Sequence, residues 1–423
     1  MVATMGGTVD DYWNRYQYFR CSLLHPHPGQ CGTTGSLYPA CVSDHDALVI
    51  QLVDELAPRL LDLSHALFAD PELAYQEVRS AARCADLLED GGFDVEREAY
   101  GVPTAFAARS GGNGPHVVIC AEYDALPGVG HACGHNVIAA SAVGAGLALL
   151  PIAAAAGLRV TVLGTPAEEA GGGKVDLIRA GAFDGVDVAV MMHPAPYDEP
   201  GSVGLAIEEW SVVVHGKASH ASAEPQLGRN ALDGIVAGYS AIAMLRQHLA
   251  PLQQVHGIIT HGGDAPNVVP ERAAAAYYLR AADMADLDDL RARTRDCLEG
   301  AATATGTTVE ITPVGHVYEP VRQNPGLVAA FAQACESIGR PLTLDPKGPQ
   351  ISGSTDFGNV SQRVPALHAD LAVHSWPVVN HQREFAAHCV GPAGDRTLLD
   401  GAKALALTAL AVAEAPQLVA DSG

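Results

Sequence analysis

The sequence predicts an α/β protein in which a mainly parallel sheet is interrupted by a smaller α+β domain. Over residues 46–206, and again over 319–423, short apolar runs alternate with amphipathic helical patterns, as in a wound α/β domain. Residues 207–318 change to the order strand, helix, strand, strand, helix, strand. That order matches the split βαβ arrangement of a ferredoxin-like domain, so we interpret this region as an insertion.

The N-terminal residues 1–45 precede this regular pattern. We interpret them as an extension that packs as a surface arm against a neighbouring subunit. They lack the apolar region of a signal peptide. The nine cysteines of the 423-residue chain show no spacing typical of a disulfide framework. A reducing, cytoplasmic location is therefore predicted.

Composition and charge exclude two classes of partner. The chain is 48% hydrophobic and carries a formal net charge of −23. Binding to nucleic acid or to anionic membranes needs basic patches, so we expect neither. The uncharged residues 137–157 are long enough to cross a bilayer. Because they are rich in Ala and Gly and contain Pro151, we predict a helix packed against the sheet.

The regular elements of the larger domain follow in order. Amphipathic helices are predicted over 46–68 and 77–92, and an Ala/Leu helix over 401–414. Apolar runs between them predict buried strands of the parallel sheet. These runs are HVVICA (116–121), LRVTVLG (158–164), VDVAVMM (186–192) and LHADLAV (367–373).

Metal-ligating and acidic side chains follow each of these buried strands. They are Glu122 and Asp124 with His131, Cys133 and His135; Glu168 and Glu169; His193; and His374 with His381. In open α/β sheets, ligands bind at the carboxyl ends of the strands, so these groups should meet at one rim. Such a collection of Cys, His and Glu predicts a metal-dependent hydrolase.

The spacing within each cluster suggests different roles. Cys133 and His135 stand at alternate positions and can reach one ion, with Asp124 orienting a ligand histidine from behind. Adjacent residues point in different directions, so one of Glu168 and Glu169 can bind metal while the other acts as a general base.

Other candidate residues lie further along the chain. His193 is predicted to bind metal, whereas spacing alone does not choose among the C-terminal histidines, which are His374, His381 and His388. Within the insertion, His220 lies in a small-residue loop. Asn267 and Arg280 can bind a substrate carboxylate, and Arg229 also suits an oxyanion.

Seven segments together resemble the signature segments of the M20 family of metallopeptidases over residues 46–415. They are AEYDALPGVGHACGHN, GTPAEEAGGGK, MMHP, GKASHASAEPQLGRNALDG, HGGDAPNVVPE, GSTDFGNVSQRVPALH and NHQREFA. The pattern is most similar to the amidohydrolase branch, which includes aminobenzoyl-glutamate hydrolases and N-acyl-amino-acid hydrolases. The extension and Arg229, which stands where a small or apolar residue is usual, depart from it.

The resemblance implies a dinuclear metal site with Glu168 as the general base. By motif position the ligands are Cys133, His135, Glu169, His193 and, from an H-x-x-E-F-A segment, His381. It also implies that the insertion dimerises, giving a homodimer or higher homo-oligomer. His220 would then polarise the substrate carbonyl in the partner's site. Mn or Zn suits these ligands best, and Co, Ni or Fe also fits.

The expected activity is hydrolysis of a C–N bond in a small, aromatic, carboxylate-bearing substrate by a metal-activated water. One alternative follows from the N-terminal extension, which resembles a branch that deaminates 5-nitroanthranilate and releases ammonia. A second is a non-catalytic binding protein on the same scaffold. The presence of the base and every ligand position argues against it.

Overall fold

The computed structural model describes residues 43–345 and 351–419. The predicted extension therefore lies almost wholly outside the described residues. The helices of the larger domain are α1 (Asp44–Ala69), α2 (Val78–Gly91), α3 (His135–Leu149), α4 (Gly173–Arg179), α7 (Pro325–Ser337), α8 (Phe357–Ser361), α9 (Arg383–His388) and α10 (Pro392–Glu414).

The central sheet has six strands in the order β1-β2-β4-β3-β5-β12. They are β1 (Asp94–Arg97), β2 (Phe106–Gly111), β3 (His116–Ala121), β4 (Arg159–Gly164), β5 (Val188–Ala195) and β12 (Ala366–Ala372). The last four strands in that order pair in parallel, whereas β1 and β2 form an antiparallel edge. The predicted mainly parallel sheet is confirmed, and the four apolar runs are its parallel strands.

Helix α3 is buried along its whole length, since every residue from His135 to Leu149 is inaccessible to solvent or nearly so. Small residues make this possible: a Cβ on Gly146 would overlap Val162 of β4. The uncharged segment is therefore a core helix followed by turns, as predicted. Among residues 43–345 and 351–419, no helix is both long and apolar enough to span a bilayer.

The insertion contains a separate antiparallel sheet in the order β10-β7-β9-β8. In chain order its elements are β7 (Ala206–His215), α5 (Ala231–Leu245), β8 (Gln254–His261), β9 (Arg272–Ala281), α6 (Met284–Thr305) and β10 (Thr308–Tyr318). This is the predicted strand-helix-strand-strand-helix-strand order. Its own core includes Trp210, Tyr277 and Leu290. A short parallel pair, β6 (Val203–Gly204) with β11 (Ile351–Gly353), lies outside both larger sheets.

Candidate metal centre and substrate cavity

The carboxyl ends of the parallel strands bring the predicted ligands to one rim. Glu122 follows β3 directly, Glu168 and Glu169 follow β4, and His193 lies near the carboxyl end of β5. His381 reaches the same place from the loop between β12 and α9. Its backbone N–H donates to the carbonyl of Ala132 at 2.8 Å, which ties that loop to the one before α3.

Cys133, His135 and His193 form one group whose ligand atoms all lie within 4.8 Å of one another. Gly134, with φ of +80°, turns the backbone between the first two residues. The sulfur of Cys133 is 3.4 Å from Nε2 of His193, whose Nδ1 donates to the carbonyl of Pro194 at 2.8 Å. That bond leaves Nε2 of His193 free to bind an ion.

Cys133, Glu169 and His381 form a second group within the same distance limit. Nε2 of His381 is 3.5 Å from Oε2 of Glu169. Sequence spacing does not decide which of three C-terminal histidines binds metal. His381 is the one whose ring reaches this group. His374 and His388 belong to neither group, whereas His381 belongs to the second although its side chain is 59% exposed.

Asp124 orients both halves of the cluster from behind. Its Oδ1 accepts from Nδ1 of His135 at 3.0 Å, and its Oδ2 accepts from the backbone N–H of Glu169 at 3.0 Å. The carboxylate is almost fully buried. This is the arrangement by which a carboxylate fixes the tautomer of a metal-ligating histidine.

Two of the donor atoms are buried without a hydrogen-bond partner within the described structure, which fits a bound cation. Nε2 of His135 and Oε1 of Glu169 have no hydrogen-bond partner. Burial and the Glu169 carboxylate raise the pKa of the Cys133 thiol well above its ordinary value. Burial also lowers the pKa of His193 to about 3. A divalent ion would reverse the shift at the thiol and use the neutral imidazole.

Glu168 faces the cavity beside this cluster. Burial, followed by the charges of Glu122 and Glu169, raises the pKa of its carboxyl group well above the usual range. Its backbone carbonyl accepts from the hydroxyl of Tyr318 at 2.7 Å, which links the residue to the last strand of the insertion. A carboxylate with a raised pKa, positioned beside a metal centre, suits proton transfer near neutral pH.

Sequence reasoning gave no role to a buried charge network beneath the rim. Nζ of Lys174 lies 2.6 Å from Oε1 of Glu122 and 2.6 Å from Oδ1 of Asp356. The lysine side chain is fully buried. Both acidic residues stand in motifs noted above, but Asp356 is 182 residues from the lysine, so no local spacing could reveal the pairing.

A cavity of about 650 Å³ opens beside the metal-ligand groups. Arg280, on β9 of the insertion, lines it, and its Nη1 donates to Oγ of Ser354 at 2.7 Å. Tyr197 and Trp376 also line it, with ring centroids 5.5 Å apart. The cavity therefore presents a cationic anchor and an aromatic pair next to the candidate metal centre.

The other predicted insertion residues do not line this cavity. His220, Asn267 and Arg229 are all exposed on loops of the insertion. Nδ1 of His220 accepts from the backbone N–H of Ala223 at 3.1 Å, and the backbone carbonyl of Asn267 accepts from Ala221 at 3.0 Å. The Arg229 guanidinium donates to its neighbour's carbonyl, that of Gly228. Of the four predicted residues of the insertion, Arg280 is therefore the one that lines the cavity of its own chain.

The fold and this rim define a class of metal-dependent peptidases and amidohydrolases, and comparison with known proteins identifies the family. Residues 118–410 match the model of peptidase family M20/M25/M40. The chain belongs to this family. The family resemblance inferred from the motifs is thereby confirmed, as is a hydrolase that acts on C–N bonds.

Two relatives and one solved structure illustrate the similarity. The chain is 41% identical to Xaa-Arg dipeptidase of Mus musculus, over 87% of this chain and 88% of the relative. It is 35% identical to one of the subunits of p-aminobenzoyl-glutamate hydrolase of Escherichia coli, over 67% and 63% respectively. A Bacillus subtilis protein described as a dinuclear metal-binding M20 peptidase superposes with a TM-score of 0.67 at 22% identity, covering 85% of this chain and 99% of its own.

Proposed function

We propose that this protein is a metal-dependent amidohydrolase that cleaves the amide bond of a small carboxylate-bearing substrate. The observation that carries the proposal is the convergence of two ligand groups, both containing Cys133, beside a buried glutamate and a cavity that Arg280 lines. Glu168 is the proposed base. The proposed ligands are Cys133, His135, Glu169, His193 and His381.

When bound, two divalent ions would lower the pKa of a water molecule toward about 7 and polarise the scissile carbonyl. The protein supplies the remaining steps. Glu168 takes the proton of the attacking water and returns it to the leaving nitrogen. Asp124 keeps the His135 ring in one tautomer, and Arg280 holds the substrate carboxylate so that the amide carbon faces the water.

The insertion is proposed to complete this site from a second chain. His220 does not line the cavity of its own chain, and the loop of a partner chain would place it where the carbonyl oxygen gains negative charge. Strand β8 forms one edge of the insertion sheet and exposes Ile258 and Ile259. An exposed apolar edge strand suits pairing with the same edge of another copy.

Two substrate types are favoured by specific features of the cavity. The aromatic pair Tyr197 and Trp376 supports an aryl amide such as an aminobenzoyl amino acid. The acidic residues Glu199, Asp345 and Asp370 also line the cavity, and their charge would suit a cationic side chain, as in a dipeptide ending in Arg. The relatives described above are amide hydrolases and lend no support to the deamination of 5-nitroanthranilate. The cytoplasmic location stays a prediction.

One substrate panel tests the proposal. Protein freed of metal by chelation should be inactive, and Mn²⁺ or Zn²⁺ should restore release of amino acid from p-aminobenzoyl-glutamate, N-acyl amino acids or dipeptides ending in Arg. Matched dipeptides ending in citrulline, which is uncharged, separate a charge preference from a size preference. Ammonia release from aminobenzoates alone would replace amide hydrolysis with deamination, and activity that survives complete metal removal would refute the mechanism.

A further inference from the structure

The Glu122 carboxylate has two oxygens in different surroundings. Oε1 accepts from the Lys174 ammonium at 2.6 Å. Oε2 is buried, has no hydrogen-bond partner within the described structure, and lies 3.5 Å from Nε2 of His135. An unpaired buried carboxylate oxygen is costly, because it loses its hydration without gaining another donor. A simple ion pair with Lys174 explains the first oxygen and leaves the second without a partner.

The free oxygen points to a cation that His135 also binds. Nε2 of His135 is itself buried without a hydrogen-bond partner, since Asp124 engages only the other ring nitrogen. One ligand atom each from Glu122, His135 and Glu168 lie within 4.8 Å of one another. Ligand atoms about 2.0–2.2 Å from one ion fall within such a separation. Oxygen and imidazole donors suit the divalent ions considered above.

We propose that Glu122 is a further metal ligand, binding through Oε2, and that Lys174 is the positioning residue that aims it. The inference rests on the metal centre proposed above and adds one carboxylate to it. Lys174 is suited to this role because it is clamped on its far side by Asp356, which accepts from Nζ at 2.6 Å and from the lysine backbone N–H at 2.9 Å. The ammonium thereby fixes the carboxylate direction and offsets its charge.

The test measures metal binding by the full chain without relying on activity. Wild type, E122Q, E122D and K174M are titrated with Zn²⁺ against a chromophoric chelator, and the Co²⁺-loaded forms are compared by visible absorption. E122Q keeps an acceptor for Lys174 but loses the anionic ligand. We expect the affinity for one of the two bound Zn²⁺ ions to fall by at least about tenfold in E122Q. The visible spectrum of the Co²⁺-loaded variant should also change. E122D, shorter by one methylene, should weaken binding of the same Zn²⁺ ion.

The lysine has a matched control. Arg340 is also a buried cation between two carboxylates, Asp198 and Asp400, each at 3.0 Å. R340M should lower thermal stability and leave both Zn²⁺ affinities unchanged. K174M should lower the affinity for the same Zn²⁺ ion as E122Q does. The double variant K174M/E122Q should bind that ion no more weakly than E122Q, because the lysine acts through Glu122.

Three outcomes would overturn the inference. If E122Q and E122D bind both Zn²⁺ ions with wild-type affinity, Glu122 is not a metal ligand. This conclusion holds even if K174M does not fold. If K174M binds Zn²⁺ with wild-type affinity while E122Q binds it more weakly, Lys174 does not position Glu122. Equal weakening in R340M would show that any buried charge deletion loosens the site. A wild type that binds no metal would refute the proposed function itself.

Discussion

The rim of the parallel sheet and the loops of the insertion both carry predicted site residues, but in opposite surroundings. At the rim, Cys133, His135 and Glu168 are buried and held by neighbouring side chains or backbone. In the insertion, His220 and Asn267 are exposed. His220 is bonded within its own loop, and the backbone carbonyl of Asn267 accepts from that same loop. One chain therefore arranges the proposed metal chemistry and the Arg280 anchor in advance, whereas His220 and Asn267 need another surface to act on.

The largest expected effect separates the two adjacent glutamates of the rim. Glu168→Gln removes the proposed base but no proposed ligand, so kcat should fall by roughly 10²–10⁴ while metal content is retained. Glu169→Gln should lose metal, because its carboxylate lies in the Cys133 and His381 group. Rates and metal content by elemental analysis check both variants. The opposite pattern would exchange the two roles.

The second prediction asks whether the exposed insertion loop acts on another chain. His220→Ala and Glu168→Gln should each be nearly inactive alone. Mixed and allowed to exchange, they should recover about one quarter of wild-type activity, because half of the dimers are mixed and each mixed dimer has one complete site. Exchange is followed with subunits of different mass. Proven exchange without recovery would confine the site to a single chain.

Arg280 is the insertion residue that does meet the rim, so its effect should be smaller than that of the base but confined to substrate recognition. Arg280→Ala should raise the transition-state barrier by roughly 2–5 kcal/mol for carboxylate-bearing substrates. Methyl esterification of the substrate carboxylate should cause a similar loss, and the two losses should not add.

A matched control for Arg280 lies on the same strand. Arg272 begins β9 and is exposed, and Arg272→Ala should leave kcat/KM unchanged. Comparing kcat/KM for the acid and its ester in all three proteins completes the test. Equal turnover of the acid and the ester by wild type would mean that recognition does not use this carboxylate.

The smallest effect concerns the exposed histidine next to the rim. His374 lies outside the ligand groups, so His374→Ala should change metal content negligibly and stability by less than about 0.5 kcal/mol. His381→Ala, seven residues later, should lose metal. Parallel metal analysis of the two variants distinguishes them. Loss of metal in His374→Ala would mean that the C-terminal ligand is His374 and that the assignment to His381 is wrong.

Sequence patterns predicted most of the fold because the apolar runs were long and the periodicity was local. The four parallel strands and the order of the insertion followed directly from them. The antiparallel edge of β1 and β2 was not predicted, since short, partly exposed strands such as DVER have no clear alternation. The base Glu168, the metal ligands and Asp124 were proposed from the ends of strands and from motifs, and the structure brings these residues to one rim.

What sequence could not predict depends on distant pairs. The bridge from Lys174 to Asp356 joins segments far apart in the chain, and a lysine after a glycine run resembles an ordinary surface residue. The placement of Arg280 against Ser354 likewise depends on how the insertion sits over the sheet. By contrast, Arg229 stands where a small or apolar residue is usual, yet it is exposed and donates to a local carbonyl.

Helix α3 links the proposed metal centre to a core region that is shielded from solvent. It begins at His135 and is buried over its whole length. Its amides should therefore exchange with deuterium only when the entire domain opens. An ion held at its first residue would bind the native state alone, so each tenfold excess of free metal over its dissociation constant should add about 1.4 kcal/mol to the free energy of unfolding. Metal supply would then set the stability of the fold as well as its chemistry.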